Sequence, residues 1–256
     1  MHVSYNGPIV RFSGYNPATN TTEENVSELS SLITYASLGA AAKLQVSSSA
    51  AADDGDPAGT GAQTIEIVGL DSAYALQTET VTLNGQTQVE TTKSFLRVFH
   101  VTVLTAGSGY TNAGDLYIIK TGTGGTVTAG VPGTLTSAWV KVPVGQGYGT
   151  SGIFTVPAGK KYQLRSIIAS GYKQASEVRL YTHNPTRTVE NALKCVLTYG
   201  VSTGMVQLNV PPMLDPTALY LAKFSEKTDL YLRCLSATAD GVVSAIAILE
   251  EYFGDR

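Results

Sequence analysis

Apolar and polar residues alternate singly through residues 64–68, with Ile65 and Ile67 on one side and Thr64, Glu66 and Val68 on the other. That is the period of a pleated strand with one face in a core. The same alternation predicts strands over 76–83, where Thr78, Thr80 and Thr82 interleave with Glu79, Val81 and Leu83, and over 95–104, FLRVFHVTVL. Gly69-Leu70-Asp71-Ser72 turns the chain between the first two. After the second, Asn84-Gly85 is the pair best able to take the two positive φ angles of a type I′ hairpin turn.

The signal recurs at 43–47, 115–120, 137–142, 153–156, 162–170, 177–182, 195–199, 206–210, 217–224, 229–236 and 242–252. Pro157-Ala158-Gly159, Asn184-Pro185, Pro211-Pro212 and Asp240-Gly241 punctuate these runs. Short strands at this spacing predict an all-β chain, an antiparallel β-sandwich of jelly-roll or related type. They fall in two blocks, 41–145 and 146–256, and one large sandwich or two small ones fit them equally.

Residues 1–40 read differently. Positions 1–22 have no periodic apolar face and are rich in Asn, Thr, Gly and Pro. They read as an extended N-terminal arm ordered against a neighbour, with Tyr5, Ile9, Phe12 and Tyr15 as its partner-contact residues. Over 23–38, Leu29, Leu32, Ile33 and Ala36 at i, i+3, i+4 and i+7 draw the face of one short helix, with Glu23 and Glu24 at its positive end. The serines and threonines of that stretch oppose it.

Composition narrows the function classes. Charged residues are 14% of the chain, against roughly 25% in an average domain, and the net charge is −3 without a basic run. Nucleic acid is therefore not an expected partner. No apolar run approaches the ~20 residues that span a bilayer, so no membrane partner is expected, and the N-terminus lacks a secretory pattern. Cys195 and Cys234 stand in apolar runs, KCVL and LRCL, as buried reduced thiols. Trp139, the single tryptophan, reads as core.

The chemistry-bearing motifs fail on their own terms. Gly147-Tyr148-Gly149-Thr150-Ser151-Gly152 matches G-x-G-x-x-G, but the strand-like Ile153-Phe154-Thr155-Val156 follows where a pyrophosphate site needs a helix. Gly107-Ser108-Gly109 is too short for a nucleophile elbow. Asp53, Asp54 and Asp56 raise calcium, but a loop starting at Asp54 has Ala58 at its fifth position and Ile65 at its twelfth. A solvated acidic turn is expected instead. His2, His100 and His183 have no ligand at metal spacing, and adjacent Glu250 and Glu251 point to opposite faces of a strand. No catalytic, cofactor-binding or metal-ligating residue is expected, and the chain does not read as an enzyme.

Several phrases carry a resemblance. Val46-Ser47-Ser48-Ser49-Ala50-Ala51-Ala52-Asp53-Asp54, Gly59-Thr60-Gly61-Ala62-Gln63-Thr64-Ile65 and Val68-Gly69-Leu70-Asp71 resemble a family of tailed-phage virion structural proteins. So do Glu79-Thr80-Val81-Thr82-Leu83-Asn84-Gly85, Ser94-Phe95-Leu96-Arg97-Val98, Thr105-Ala106-Gly107-Ser108-Gly109, Asn112-Ala113-Gly114 and Phe154-Thr155-Val156-Pro157-Ala158-Gly159-Lys160. The resemblance spans roughly residues 41–240. It implies a virion component and no particular place in the particle; the leading reading is a non-enzymatic minor capsid or decoration protein, made in the host cytoplasm, that cements the major capsid protein as a homotrimer. A tail, neck or host-binding adhesin and a free-standing carbohydrate-binding module are the alternatives, since fourteen tyrosines suit glycan stacking.

Overall fold

The computed structural model describes residues 8–29, 39–135, 138–184, 194–201, 204–209 and 223–252. Among them there is no helix; twenty strands, β1 to β20 in chain order, pair antiparallel throughout. The chain divides into two compact units, Ser27–Ser151 and a discontinuous one made of the residues before and after it.

β1 (Ile9–Thr19) and β2 (Glu24–Asn25) open the discontinuous unit. The chain then builds the whole of the continuous unit: β3 (Leu44–Ser48), β4 (Ala62–Leu70), β5 (Leu76–Thr82), β6 (Val89–Glu90), β7 (Arg97–Ala106), β8 (Leu116–Lys120), β9 (Val127–Thr128), β10 (Val131–Pro132), β11 (Ala138–Val142) and β12 (Tyr148–Thr150). Two four-stranded sheets result, β11-β8-β3-β6 and β12-β7-β4-β5, beside a β9-β10 ribbon. Successive strand pairs place one member in either sheet. Ile65, Ile67 and Val101 of one sheet and Leu44, Val46, Leu116, Ile118 and Val140 of the other are fully buried, and Trp139 is buried with them.

The discontinuous unit resumes with β13 (Ile153–Thr155), β14 (Tyr162–Tyr172), β15 (Ser176–His183), β16 (Lys194–Val201), β17 (Gly204–Asn209), β18 (Lys223–Phe224), β19 (Asp229–Ser236) and β20 (Gly241–Glu251). Its sheets run β1-β20-β14-β17 and β13-β19-β15-β16, with β18 beside β14 and β2 beside β19. Leaving out the two-residue β2 and β18, the first strand pairs with the last (β1 with β20) and the second with the second-last (β13 with β19). The third pairs with the third-last (β14 with β17), and the middle two (β15 and β16) pair together. A long hairpin rolled up in this way is a jelly roll. Its core includes Phe12 stacked on Phe154 at 5.7 Å, Phe154 edge-on to Tyr162, and the inward series Val243, Ala245, Ala247 and Leu249 of β20.

Three expectations are corrected. The stretch read as an arm is, over Ile9–Thr19, the first jelly-roll strand, hydrogen-bonded along β20. Its buried positions are Phe12, Gly14, Asn16 and Thr19, so three of four lack an apolar side chain and no apolar period showed. Gly14 is required there: a Cβ would sit 1.7 Å from the Val26 carbonyl oxygen. The start of the expected helix is β2 and a turn instead, and residues 30–38 lie outside the described residues. Asn84-Gly85 is not a type I′ pair, because only Gly85 has positive φ, +53°. Asn84 is the first corner of a turn closed by Thr87 N–H donating to the Asn84 carbonyl, 2.9 Å. Of the strand expected over 217–224, only Lys223–Phe224 falls among the described residues.

Candidate functional site

In the continuous unit the loops are held by two buried polar side chains. Asp53, expected in a solvated turn, is fully buried. Its Oδ1 accepts from Ala62 N–H and Ala113 N–H, both at 2.7 Å, and its Oδ2 from Gly114 N–H at 2.9 Å and the Ser48 hydroxyl at 2.5 Å. Four donors around one carboxylate supply what a cation would otherwise supply. The Asp53 carbonyl takes Gly85 N–H at 2.8 Å, which brings the 84–87 turn to the same point. Gly61 is obligatory beside it, since a Cβ would lie 2.1 Å from Oδ1.

Asn112 makes the second knot. Its Nδ2 donates to the Gly114 and Pro143 carbonyls, both at 2.7 Å, while Oδ1 accepts from Gly147 N–H at 2.9 Å and its backbone carbonyl from Gly145 N–H at 3.0 Å. The 107–114 and 143–147 loops are thereby fastened to each other. Both knots were present in the sequence as ordinary loop residues, Asp in an Ala/Asp/Gly run and Asn before Ala-Gly. Short polar side chains between small residues are the one signal that could have marked them.

In the discontinuous unit, Glu23 fastens the segment that precedes β2. Its carboxylate accepts from Arg179 and Arg233, each at 3.0 Å, and from the Tyr181 hydroxyl at 2.7 Å; Arg233 lies over the Tyr181 ring. Burial pushes the Glu23 carboxyl up, but the hydrogen bonds from Tyr181, Arg233 and Arg179 outweigh it and hold the group below its ordinary range. A depressed carboxyl contributes stability above its unfolded value, near pH 4–5, and loses it as pH falls through the folded value. Glu23→Gln is therefore expected to flatten the acid limb of this unit's stability between about pH 3 and 5, measured as urea midpoints by far-ultraviolet circular dichroism. An acid limb unchanged from wild type would refute that role.

The four residues expected to touch a partner are divided. Tyr5 lies outside the described residues, Phe12 is buried in the jelly-roll core, and Ile9 and Tyr15 are exposed on β1, an edge strand of its sheet. One pair of titratable side chains is interior. His183 Nδ1 is 3.6 Å from Asp229 Oδ2, and Thr155 donates its hydroxyl to Asp229, with His183 and Asp229 sealed from solvent. The sequence had not paired them, because 45 intervening positions separate strands that the sheet makes neighbours. Glu250 receives Arg165 and Gln163 while Glu251 receives Lys160, one on each face. No group of three His, Cys, Asp or Glu among the described residues is placed to hold a metal ion. The G-x-G-x-x-G stretch runs from β12 into β13, strand to strand.

Cys234 is buried, and burial pushes its thiol up to about 12. In a Cys195→Ser background it is expected to resist a disulfide reagent in the native protein and to react within seconds after unfolding in urea. Rapid native labelling would contradict this burial.

No protein-family model matches the chain, and no curated protein matches it. Over 98% of its length it aligns with the structure of infectious bursal disease virus Gx strain, at 8% identity and a TM-score of 0.19, covering 77% of that chain. Alignments of the same extent and identity, with TM-scores of 0.18, reach the Gt strain of that virus and its VP2 subviral particle, covering 78% of each chain. These are structures of virus particles. At such scores the jelly-roll assignment rests on the strand pairing alone.

Proposed function

We propose that the chain is a non-enzymatic structural component of a tailed-phage particle, a decoration or minor capsid protein that stabilises the shell through subunit interfaces with the major capsid protein, as a homotrimer. One observation carries the reading. Four of the phrases that resemble tailed-phage virion proteins, 46–54, 59–65, 79–85 and 112–114, meet in space around Asp53, which ties together Ser48, Ala62, Ala113 and Gly114 and, through its carbonyl, Gly85. That part of the resemblance falls on one framework. A jelly roll with a second sandwich inserted after its first strands agrees with it, since jelly rolls recur in viral capsids and lectins, although fold alone does not fix function. Rigid loops present preformed surface, and a specific interface of at least ~1,000 Å² is what cementing needs.

The test is an averaged electron-microscopy map of intact particles with and without this chain. Difference density over the shell lattice, at three-fold positions, is the expected result. Density confined to the tail vertex, or none, would sink the cementing role.

A further inference from the structure

We infer that the free edge of β1 is a contact between two copies of this chain, in which residues 9–15 of one pair antiparallel with residues 9–15 of the other across a two-fold axis at Ser13. The register with β20 shows which backbone groups are available. Glu251 N–H donates to the Pro8 carbonyl at 3.1 Å, so position 8 lies in a hydrogen-bonded pair and the even positions follow it in unbroken register to Asn16. The N–H and C=O groups of Ile9, Arg11, Ser13 and Tyr15 therefore point away from β20. Among the described residues none bonds them.

An open edge is a template for a further strand. The edge strand of the continuous unit, β5, is covered: its Thr78 carbonyl accepts from Lys93 Nζ at 2.6 Å, and the Glu79 carboxylate accepts from Thr92 N–H at 2.6 Å and Lys93 N–H at 2.9 Å. β1 has no such cover among the described residues. Pro17 and the register shift between Asn16 and Thr19 end its regular stretch and leave residues 9–15 straight. Ile9 is 60% exposed and Tyr15 44%, and Ile246, opposite Ser13 on the same face, 37%.

Charge selects a second copy and its register. Arg11 is the only charged residue of β1. Registers that pair at least three of the four outward positions set Arg11 opposite Arg11, Ser13 or Tyr15 of the other copy. The first puts like charges face to face, and the second leaves them in diagonal reach. The third separates the two guanidinium groups by four strand positions, about 13 Å, past the screening length of about 8 Å at physiological salt. Each then lies beside a tyrosine ring, a favourable neighbour for a cation. A two-fold contact cannot close a trimer, so this one is separate from the three-fold contact of the shell reading.

The test is sedimentation equilibrium of the full chain up to about 0.5 mM. The wild-type protein is expected to double its mass reversibly, from whatever assembly it forms when dilute. Ser13→Pro removes the central outward N–H and keeps every β1–β20 bond, and should weaken the doubling at least tenfold. Tyr15→Lys, which brings a second cation to Arg11, should weaken it also; Tyr15→Glu, which brings an anion, should preserve or strengthen it. Slow labelling of Cys234 in the Cys195→Ser background shows which variants are folded, and if Ser13→Pro is not, the Tyr15 pair decides alone. No doubling by wild type, doubling that a folded Ser13→Pro leaves intact, or equal effects of Tyr15→Lys and Tyr15→Glu overturns the proposal. The shell reading is decided on particles and does not depend on the outcome.

Discussion

Asp53→Ala is expected to lower the urea midpoint of the continuous unit by about 1–3 M, with the discontinuous unit unchanged. The carboxylate and all four of its donors lie within the continuous unit. Removing it strands two buried amides, Ala62 and Gly114, and the part-buried amide of Ala113, the buried ones costing about 1–3 kcal/mol each when unsatisfied. Water entering the vacated space offsets part of this, leaving a loss of roughly 3–5 kcal/mol against a typical domain stability of about 5–15 kcal/mol. Asp53→Asn tests the chemistry more sharply, because it keeps the shape. An amide group must replace one oxygen, and on either side it would face at least one backbone N–H, Ala62 and Ala113 at Oδ1 or Gly114 at Oδ2. A loss of about 2–4 kcal/mol is expected from it. The units can be read separately: Trp139, the only tryptophan, is in the continuous unit, and Cys234 is in the other. Tryptophan fluorescence should record the shift while thiol exposure in the Cys195→Ser background does not. A tryptophan midpoint equal to wild type in both variants would show that the carboxylate does not hold these loops.

Deleting residues 1–19 is expected to give the opposite pattern, a discontinuous unit with no cooperative unfolding. An arm that merely reached a neighbour could be removed without harm to the fold. Here the deletion takes away the strand that pairs with β20 from Ile9 to Thr19 and the Phe12 ring that covers Phe154. Phe12→Ala alone should cost about 3–5 kcal/mol, the range for a buried phenylalanine. The full deletion also removes the strand's hydrogen bonds and leaves β20 as a sheet edge, a combined loss comparable with the whole stability of a domain. Thiol labelling of Cys234 should become fast in the deleted protein, and the tryptophan transition should persist. A truncated protein with protected Cys234 would show that β1 is dispensable.

Strands with side chains of opposite character on their two faces could be read directly. β4 shows Ile65 and Ile67 inward against Thr64, Glu66 and Val68, and β20 alternates Val243, Ala245, Ala247 and Leu249 inward with residues more exposed. β1 was illegible because its inward positions include Gly14, forced by the Val26 carbonyl, and Asn16, which donates to the Asn25 carbonyl. The demand for a glycine or an amide there comes from the β2 segment, nine positions on at Asn25, folding back across β1, and a period-2 pattern within β1 does not record it.

Turn chemistry was legible in kind but not in geometry. Asn84-Gly85 marks a turn, yet its neighbours, the Asp53 carbonyl and Ser48 N–H, fix Gly85 alone at positive φ. The Asn112 tie was less legible still, because it holds Pro143 and Gly147, 31 and 35 positions away in the sequence.

The sequence by itself determined the all-β class, the position of most strands and the scarcity of charge, because period-2 burial and turn residues act within a few positions of each other. The tertiary structure alone decided that the chain leaves a jelly roll after its first strands, builds a second sandwich and returns. It also decided that Asp53 is a buried tie and not a solvated turn. Those outcomes depend on which backbone donors arrive from distant segments, and a carboxylate's burial is set by the partners that meet it there.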